Sequence, residues 1–279
     1  MAREVDRAAL LRFVEKRCKE TGGYGATLRL PATIQDTFQA VAIRLVLGGE
    51  PPSPETEPAL AEYLVRMLAV PWLGIGTIFR LLITCRLCGL VPDAGRLRSH
   101  LAVCLGRDQS LAATYYASRI AREVLGAEPE EFFGSQRQAA LPSRFAVQDA
   151  AGYLAVKAMA GQRAGEAEDL VGWLQRSQNG DGGFGFFPGT TSFIENCHAA
   201  LAALSLVGAR PSDPVNLRAF LLSCQTGGGG FARSPRAAPF LDASWHGIAS
   251  LHLLEEMEKR PAGDVPEISS QLSRLVLSV

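Results

Sequence analysis

The side chains able to do metal or nucleophilic chemistry in this chain are few. There are six cysteines, Cys18, Cys85, Cys88, Cys104, Cys197 and Cys224, and four histidines, His100, His198, His246 and His252. Thiolates and imidazoles ligate borderline metals and act as nucleophiles or bases near neutral pH. Cys85-x-x-Cys88 has the spacing of half a zinc site. No second CxxC completes it, and it lies in the apolar run from Leu81 to Leu90, so it reads as core packing. Taken singly, Cys197 reads as a buried packing residue and His246 as a hydrogen-bonded core or rim residue. His198 stands one helical turn from Glu195. His252 lies deeper in its segment and reads as structural, and His100 ends an outer-helix stretch and reads as solvated. Four acids, Asp36, Asp149, Glu195 and Asp242, open apolar segments, where the helix dipole favours a negative charge.

The elements that position these residues follow from an internal repeat. Leu174, Gln178, Gly182-Gly183-Phe184 and Glu195 recur, each 47 residues later, as Leu221, Gln225, Gly229-Gly230-Phe231 and Asp242. Each unit is an apolar helix, a glutamine, a glycine-rich turn, a loop, and an acid opening a second helix. Second helices begin at Ile34, Val147, Ile194 and Leu241, and the first three end at Gly48, Gly161 and Gly208. Weaker copies run from Ile75 to Gly89 and from Ala112 to Gly126. The first helices are expected at Ala8–Cys18, Glu57–Met67, Ala94–Leu105, Glu128–Gln138, Gly165–Arg176 and Pro214–Cys224. The fourth is interrupted by Phe132, Phe133 and Gly134, and residues Pro266–Val279 can form one more short helix. The second helices are apolar on most sides, as in Ala199-Ala200-Leu201-Ala202-Ala203-Leu204, and belong inside. The first are amphipathic and belong outside. No segment alternates like a strand. The expected fold is all-α: a single domain over residues 1–279, an α6/α6 toroid that closes six helix-pair repeats around a concave pocket. The aromatics Phe38, Tyr153 and Trp245 fall early in the second helices, and Tyr115 and Tyr116 lie in the third. They are candidate lining for an apolar ligand.

Composition narrows the partners. The 28 basic residues balance 28 acidic ones, with no basic block, so charge gives no reason to expect nucleic acid or an anionic membrane. The hydrophobic content of 47% supplies a sizeable core. The first residues carry mixed charges and do not read as a secretory signal. The uncharged run between Arg66 and Arg80 is too short to span a bilayer. The thiols therefore read as reduced, and the expected location is cytoplasmic.

The runs Ser177-Gln178-Asn179-Gly180-Asp181-Gly182-Gly183-Phe184-Gly185 and Cys224-Gln225-Thr226-Gly227-Gly228-Gly229-Gly230-Phe231 resemble the repeat of protein prenyltransferase β subunits, with a related form in squalene and oxidosqualene cyclases. Gly22-Gly23-Tyr24-Gly25 is a third copy. The resemblance implies an α/α toroid that handles isoprenoids. In the prenyltransferases an Asp-x-Cys at the start of one inner helix and a His in the next hold a catalytic zinc. Glu195-Asn196-Cys197 and Trp245-His246 stand at the corresponding places here. The resemblance thus implies Glu195, Cys197 and His246 as metal ligands and catalytic residues, with a fourth position open for a substrate thiol that attacks an allylic diphosphate. It also implies a partner α subunit of helical hairpins.

Two departures stand out. Asp242 lies four residues before His246, where the family usually has three. The segment Gly185–Ile194 holds no Lys or Arg, although a leaving diphosphate needs cationic or hydrogen-bonding stabilisation. Arg144, Arg233, Arg236, Arg119 and Arg122 are the candidates to supply it, and Arg144 joins Phe38, Tyr115, Tyr116, Tyr153 and Trp245 as an expected substrate-binding residue. Two alternatives remain open. One is a terpene cyclase without the usual D-x-D-D acid motif: the nearest run, Glu166-Ala167-Glu168-Asp169, opens an outer helix, which leaves Asp36 or Asp149 as the acid. The other is a non-catalytic toroid that binds a lipid or a protein.

Overall fold

The computed structural model describes residues 4–70, 73–108, 110–128, 141, 143–159, 167–261, 263–264 and 275. In chain order the helices are α1 (Arg7–Glu15), α2 (Ile34–Val46), α3 (Pro58–Leu68), α4 (Ile75–Leu87), α5 (Ala94–Arg107), α6 (Leu111–Ile120), α7 (Val147–Met159), α8 (Ala167–Arg176), α9 (Ile194–Leu206), α10 (Pro214–Ser223) and α11 (Leu241–Lys259). A π-helical turn, Ala121–Leu125, extends α6 and ends at Gly126 in the left-handed region. The described residues contain isolated bridges at the turns and are otherwise helical or irregular. The expected fourth outer helix falls on residues 128–138 and the expected terminal helix on 266–279; apart from Glu128 and Leu275, both lie outside the described residues, as does Gly161.

The chain divides into two compact units, Met1–Lys16 with Ala42–Gly48 and Leu141–Val279, and Arg17–Val41 with Gly49–Ala140. In the first, α9 packs between α7 and α11, while α8 packs on α9 and α10 on α11. Second helices therefore lie side by side, with α9 and α11 each backed by its first helix. Helix α9 is buried from Asn196 to Leu206, as a helix apolar on all sides must be. In the second unit α4 packs on α6, with α3 against α4 and α5 against α6. The same inner-and-outer layering holds within each.

The repeated turn explains its own glycines. Gly182 has φ +87°, and a Cβ there would lie 2.2 Å from the carbonyl oxygen of Asn216 in α10. Gly229 has φ +94°, and its Cβ would lie 2.2 Å from the carbonyl oxygen of Ala9 in α1. Only glycine combines this backbone with so close an approach to the next outer helix. The glutamine completes the joint. Gln178 Nε2 donates to the carbonyls of Gly182 (2.9 Å) and Asp213 (2.8 Å), and its Oε1 accepts the Asp213 N–H at 2.9 Å. Gln225 does the same with Gly229 (2.9 Å) and Asp6, donating to the Asp6 carbonyl and accepting its N–H, both at 3.0 Å. Asp213 and Asp6 in turn cap α10 and α1, accepting from Asn216 N (2.9 Å) and Ala9 N (2.8 Å). The last turn thus grips the N-terminal helix as the turn before it grips α10.

Candidate functional site

The opening turns of α9 and α11 carry Glu195, Cys197, His198, Asp242, Trp245 and His246. Cys197 is fully buried, and its Sγ accepts the N–H of Phe184 at 3.3 Å. The same bond recurs elsewhere. Ser244 Oγ accepts the N–H of Phe231 at 2.9 Å, and Thr37 Oγ1 accepts that of Tyr24 at 3.0 Å. In all three the acceptor lies 13 residues after the turn aromatic. Cys197 therefore occupies a position that repeats 1 and 6 fill with a hydroxyl. Burial pushes its thiol well above the ordinary cysteine range, against the lowering effect of the Phe184 N–H.

Glu195 accepts from Arg233 Nε, and the Arg233 guanidinium lies 3.9 Å from the centroid of the Phe193 ring. His246 turns the other way. Its Nδ1 meets Nδ1 of the fully buried His198 at 2.8 Å, so one ring donates and the other accepts, and its Nε2 lies 3.7 Å from Asp242 Oδ1. Trp245 and His198 meet edge to face, with ring centroids 5.7 Å apart. The three residues matched to the zinc ligands thus face three different partners: a backbone N–H, an arginine and a histidine. Among the described residues no group of three or more His, Cys, Asp or Glu side chains gathers as a metal ion requires. As placed, they do not form a ready ligand set.

The four helix-opening acids divide into two kinds. Asp149 Oδ2 accepts the N–H of Ala146 at 2.8 Å, and Asp36 pairs with Thr33, whose hydroxyl donates to Oδ2 at 2.6 Å and accepts the Asp36 N–H at 3.0 Å. Both sit at the third residue of their helices, from which a carboxylate reaches back to the cap. Glu195 and Asp242 sit one residue earlier; Glu195 turns to Arg233, and the Asp242 side chain is 60% exposed. A shift of one position separates Asp36 and Asp149, which reach back to the cap, from Glu195, which turns to Arg233.

The remaining candidates are dispersed. Phe38, Tyr115, Tyr153 and Trp245 are buried, and Tyr153 carries Lys157 5.5 Å from its ring centroid. Arg144 is exposed. Arg119 is buried against Glu123 and donates to the Tyr115 hydroxyl at 2.7 Å; burial alone would lower its pKa, but Tyr115 and Glu123 outweigh that and hold it above the ordinary arginine value. Arg122 pairs with Glu128 at 2.6 Å. Cys85 and Cys88 are buried and the Cys85 thiol is pushed up to about 12 by desolvation, as core packing requires. Two features escaped the sequence reading. One is the acceptor 13 residues after each aromatic, which was legible as a fixed offset. The other is the His198–His246 contact, which was not, because it joins side chains 48 residues apart.

Residues 147–231 and 166–274 match the family described as prenyltransferase alpha-alpha toroid domain. The matched stretch, residues 147–274, takes in both complete Gln–Gly-Gly-Phe turns that carry the resemblance. Comparison with curated proteins finds no match. Among solved structures the chain is similar to Candida albicans protein geranylgeranyltransferase-I complexed with GGPP, with 13% identity and a TM-score of 0.25, over 99% of this chain and 52% of that one. The chain thus spans about half the length of that relative. No described helix is long and apolar enough to cross a membrane.

Proposed function

We propose that this chain is an isoprenoid-handling toroid protein that acts in prenyl transfer, in the manner of a protein prenyltransferase β subunit. The observation that carries the reading is the match of residues 147–274 to the prenyltransferase toroid domain, which takes in both complete Gln–Gly-Gly-Phe turns. The substrate would be an allylic prenyl diphosphate and the acceptor a thiol. A zinc held by Glu195, Cys197 and His246 would supply a Lewis acid that keeps the acceptor as a thiolate. For that ligand set to assemble, Cys197 must release the Phe184 N–H, Glu195 must leave Arg233 and His246 must leave His198. An α subunit of helical hairpins is the partner this reading calls for.

A second reading, a toroid that binds an isoprenoid without transferring it, is favoured by the partners those three side chains already have. Native mass spectrometry of protein purified from its host separates the two. Transfer is expected to give stoichiometric zinc and a partner subunit alongside bound isoprenoid; binding alone gives isoprenoid without zinc. Absence of any isoprenoid, with no uptake of added farnesyl or geranylgeranyl diphosphate, would falsify both.

A further inference from the structure

Helices α4 and α6 hold between them a guanidinium with no acid partner among the described residues. Arg80, midway along α4, is partly buried. Its Nη1 donates to the Gly76 carbonyl at 3.0 Å and its Nη2 to the Tyr116 hydroxyl at 3.1 Å, with the guanidinium 5.3 Å from the Tyr116 ring centroid. Among the described residues it has no carboxylate partner. A guanidinium carries five N–H groups, and the two bonds above leave three unused.

The neighbouring groups add to the positive character. The Tyr115 and Tyr116 rings lie 5.2 Å apart, and Arg119 donates to the Tyr115 hydroxyl at 2.7 Å while it pairs with Glu123. Arg119 also lies 5.0 Å from the centroid of Phe79, whose ring is 5.3 Å from that of Tyr116. Arg80 thus lies beside the Arg119–Glu123 pair. Gly76 makes the approach possible: a Cβ there would come within 3.0 Å of the Tyr116 ring and 3.1 Å of Arg80 Nη1. A cation withdrawn partly from water with no counter-charge is costly unless an anion completes it.

We propose that Arg80 and Tyr116, backed by Tyr115 and Arg119, form a subsite for a phosphate-type oxyanion. The guanidinium fork matches such an ion in geometry and charge. If the anion is the diphosphate of a prenyl substrate, its identity rests on the function proposed above; the site itself rests on Arg80.

Inorganic pyrophosphate is the probe, titrated calorimetrically into the whole protein. The wild type is expected to bind it. Arg80→Gln should weaken binding about tenfold or more through loss of a charge-assisted contact. Arg80→Lys, which keeps the charge but not the fork, should fall between, and Tyr116→Phe should weaken binding a few-fold. Thermal unfolding of each variant controls for folding, and the lysine and phenylalanine variants keep the test open if the glutamine variant is unstable. Binding of pyrophosphate that is unchanged in folded Arg80→Gln or Arg80→Lys overturns the proposal, as does no binding by the wild type. Farnesol, which has no charge, reports on the isoprenoid reading separately: its uptake should be the same in wild type and Arg80→Gln. Loss of farnesol binding with pyrophosphate binding intact would count against the function and leave this subsite standing.

Discussion

Cys197 illustrates how a single side chain fits two descriptions. Its type and its neighbour Glu195 match a metal ligand set, while its hydrogen bond matches Ser244 and Thr37, which hold the same place under other turns. If the latch is its role, a hydroxyl substitutes for the thiol. Cys197→Ser is expected to keep its denaturation midpoint close to wild type. Cys197→Ala leaves the buried Phe184 N–H without a partner and should lose about 1–3 kcal/mol, read from urea unfolding. Equal destabilisation by both would rule out the latch. A second residue-scale expectation concerns His252. Burial lowers its pKa, while Glu256 and Glu255 pull it back. The unfolded chain then binds the proton more tightly than the folded one. The associated stability is complete above the ordinary histidine value of about 6.5 and is lost as pH falls through the lower folded value. His252→Gln cannot titrate there, so its Tm relative to wild type should rise between pH 7.5 and 5. A constant difference across that range would remove His252 from the acid response. The sequence placed Glu195, Cys197 and His246 near helix starts, and they are there. Which way each side chain turns was not legible, because it depends on Arg233 and His198, 38 and 48 residues away from their partners.

At the scale of elements, the glutamine clamp ties the turns of Gln178 and Gln225 to the helix that follows in space. The 47-residue spacing made Gln178 and Gln225 visible as a pair, and the glycines after them as a turn. Their partners were less visible. Asp213 follows Gln178 by 35 residues, but the partner of Gln225 is Asp6, 219 residues away, and no local pattern links the two. In the first copy Cys18 stands where the glutamine should be, although Gly22 keeps φ +101° and a Cβ there would meet the Ala59 carbonyl at 1.8 Å. The backbone requirement persists where the side-chain clamp does not. Gln225→Ala should therefore loosen α1 in particular. Hydrogen exchange is expected to show faster amide exchange across Arg7–Glu15, with α7 and α9 unchanged, and Gln178→Ala should do the same to Pro214–Ser223. Uniform acceleration across all helices would mean that the clamp contributes to general stability and does not hold one joint.

For the whole chain, the balance of 28 basic and 28 acidic residues has a consequence for any charged ligand. With no net field to steer an anion, recognition must come from local groups and from apolar burial. A prenyl chain supplies the second: each buried methylene is worth about 0.8 kcal/mol, so lengthening the chain should matter more than changing its head. Ligand that binds only the folded state raises stability by RT ln(1 + [L]/Kd), about 2.7 kcal/mol at a hundredfold excess over Kd. Thermal unfolding with farnesyl and geranylgeranyl diphosphates and the matching alcohols therefore separates the contributions. The expected order is geranylgeranyl above farnesyl within each head group, with the diphosphate adding a further rise that salt reduces. The alcohols should still stabilise, because the apolar second helices, of which α9 is buried nearly from end to end, were the part of the fold most plainly written in the sequence. Stabilisation by the diphosphates alone, independent of chain length, would show that the protein reads an anion and not an isoprenoid, and would move the function away from prenyl transfer toward the anion chemistry of α4 and α6.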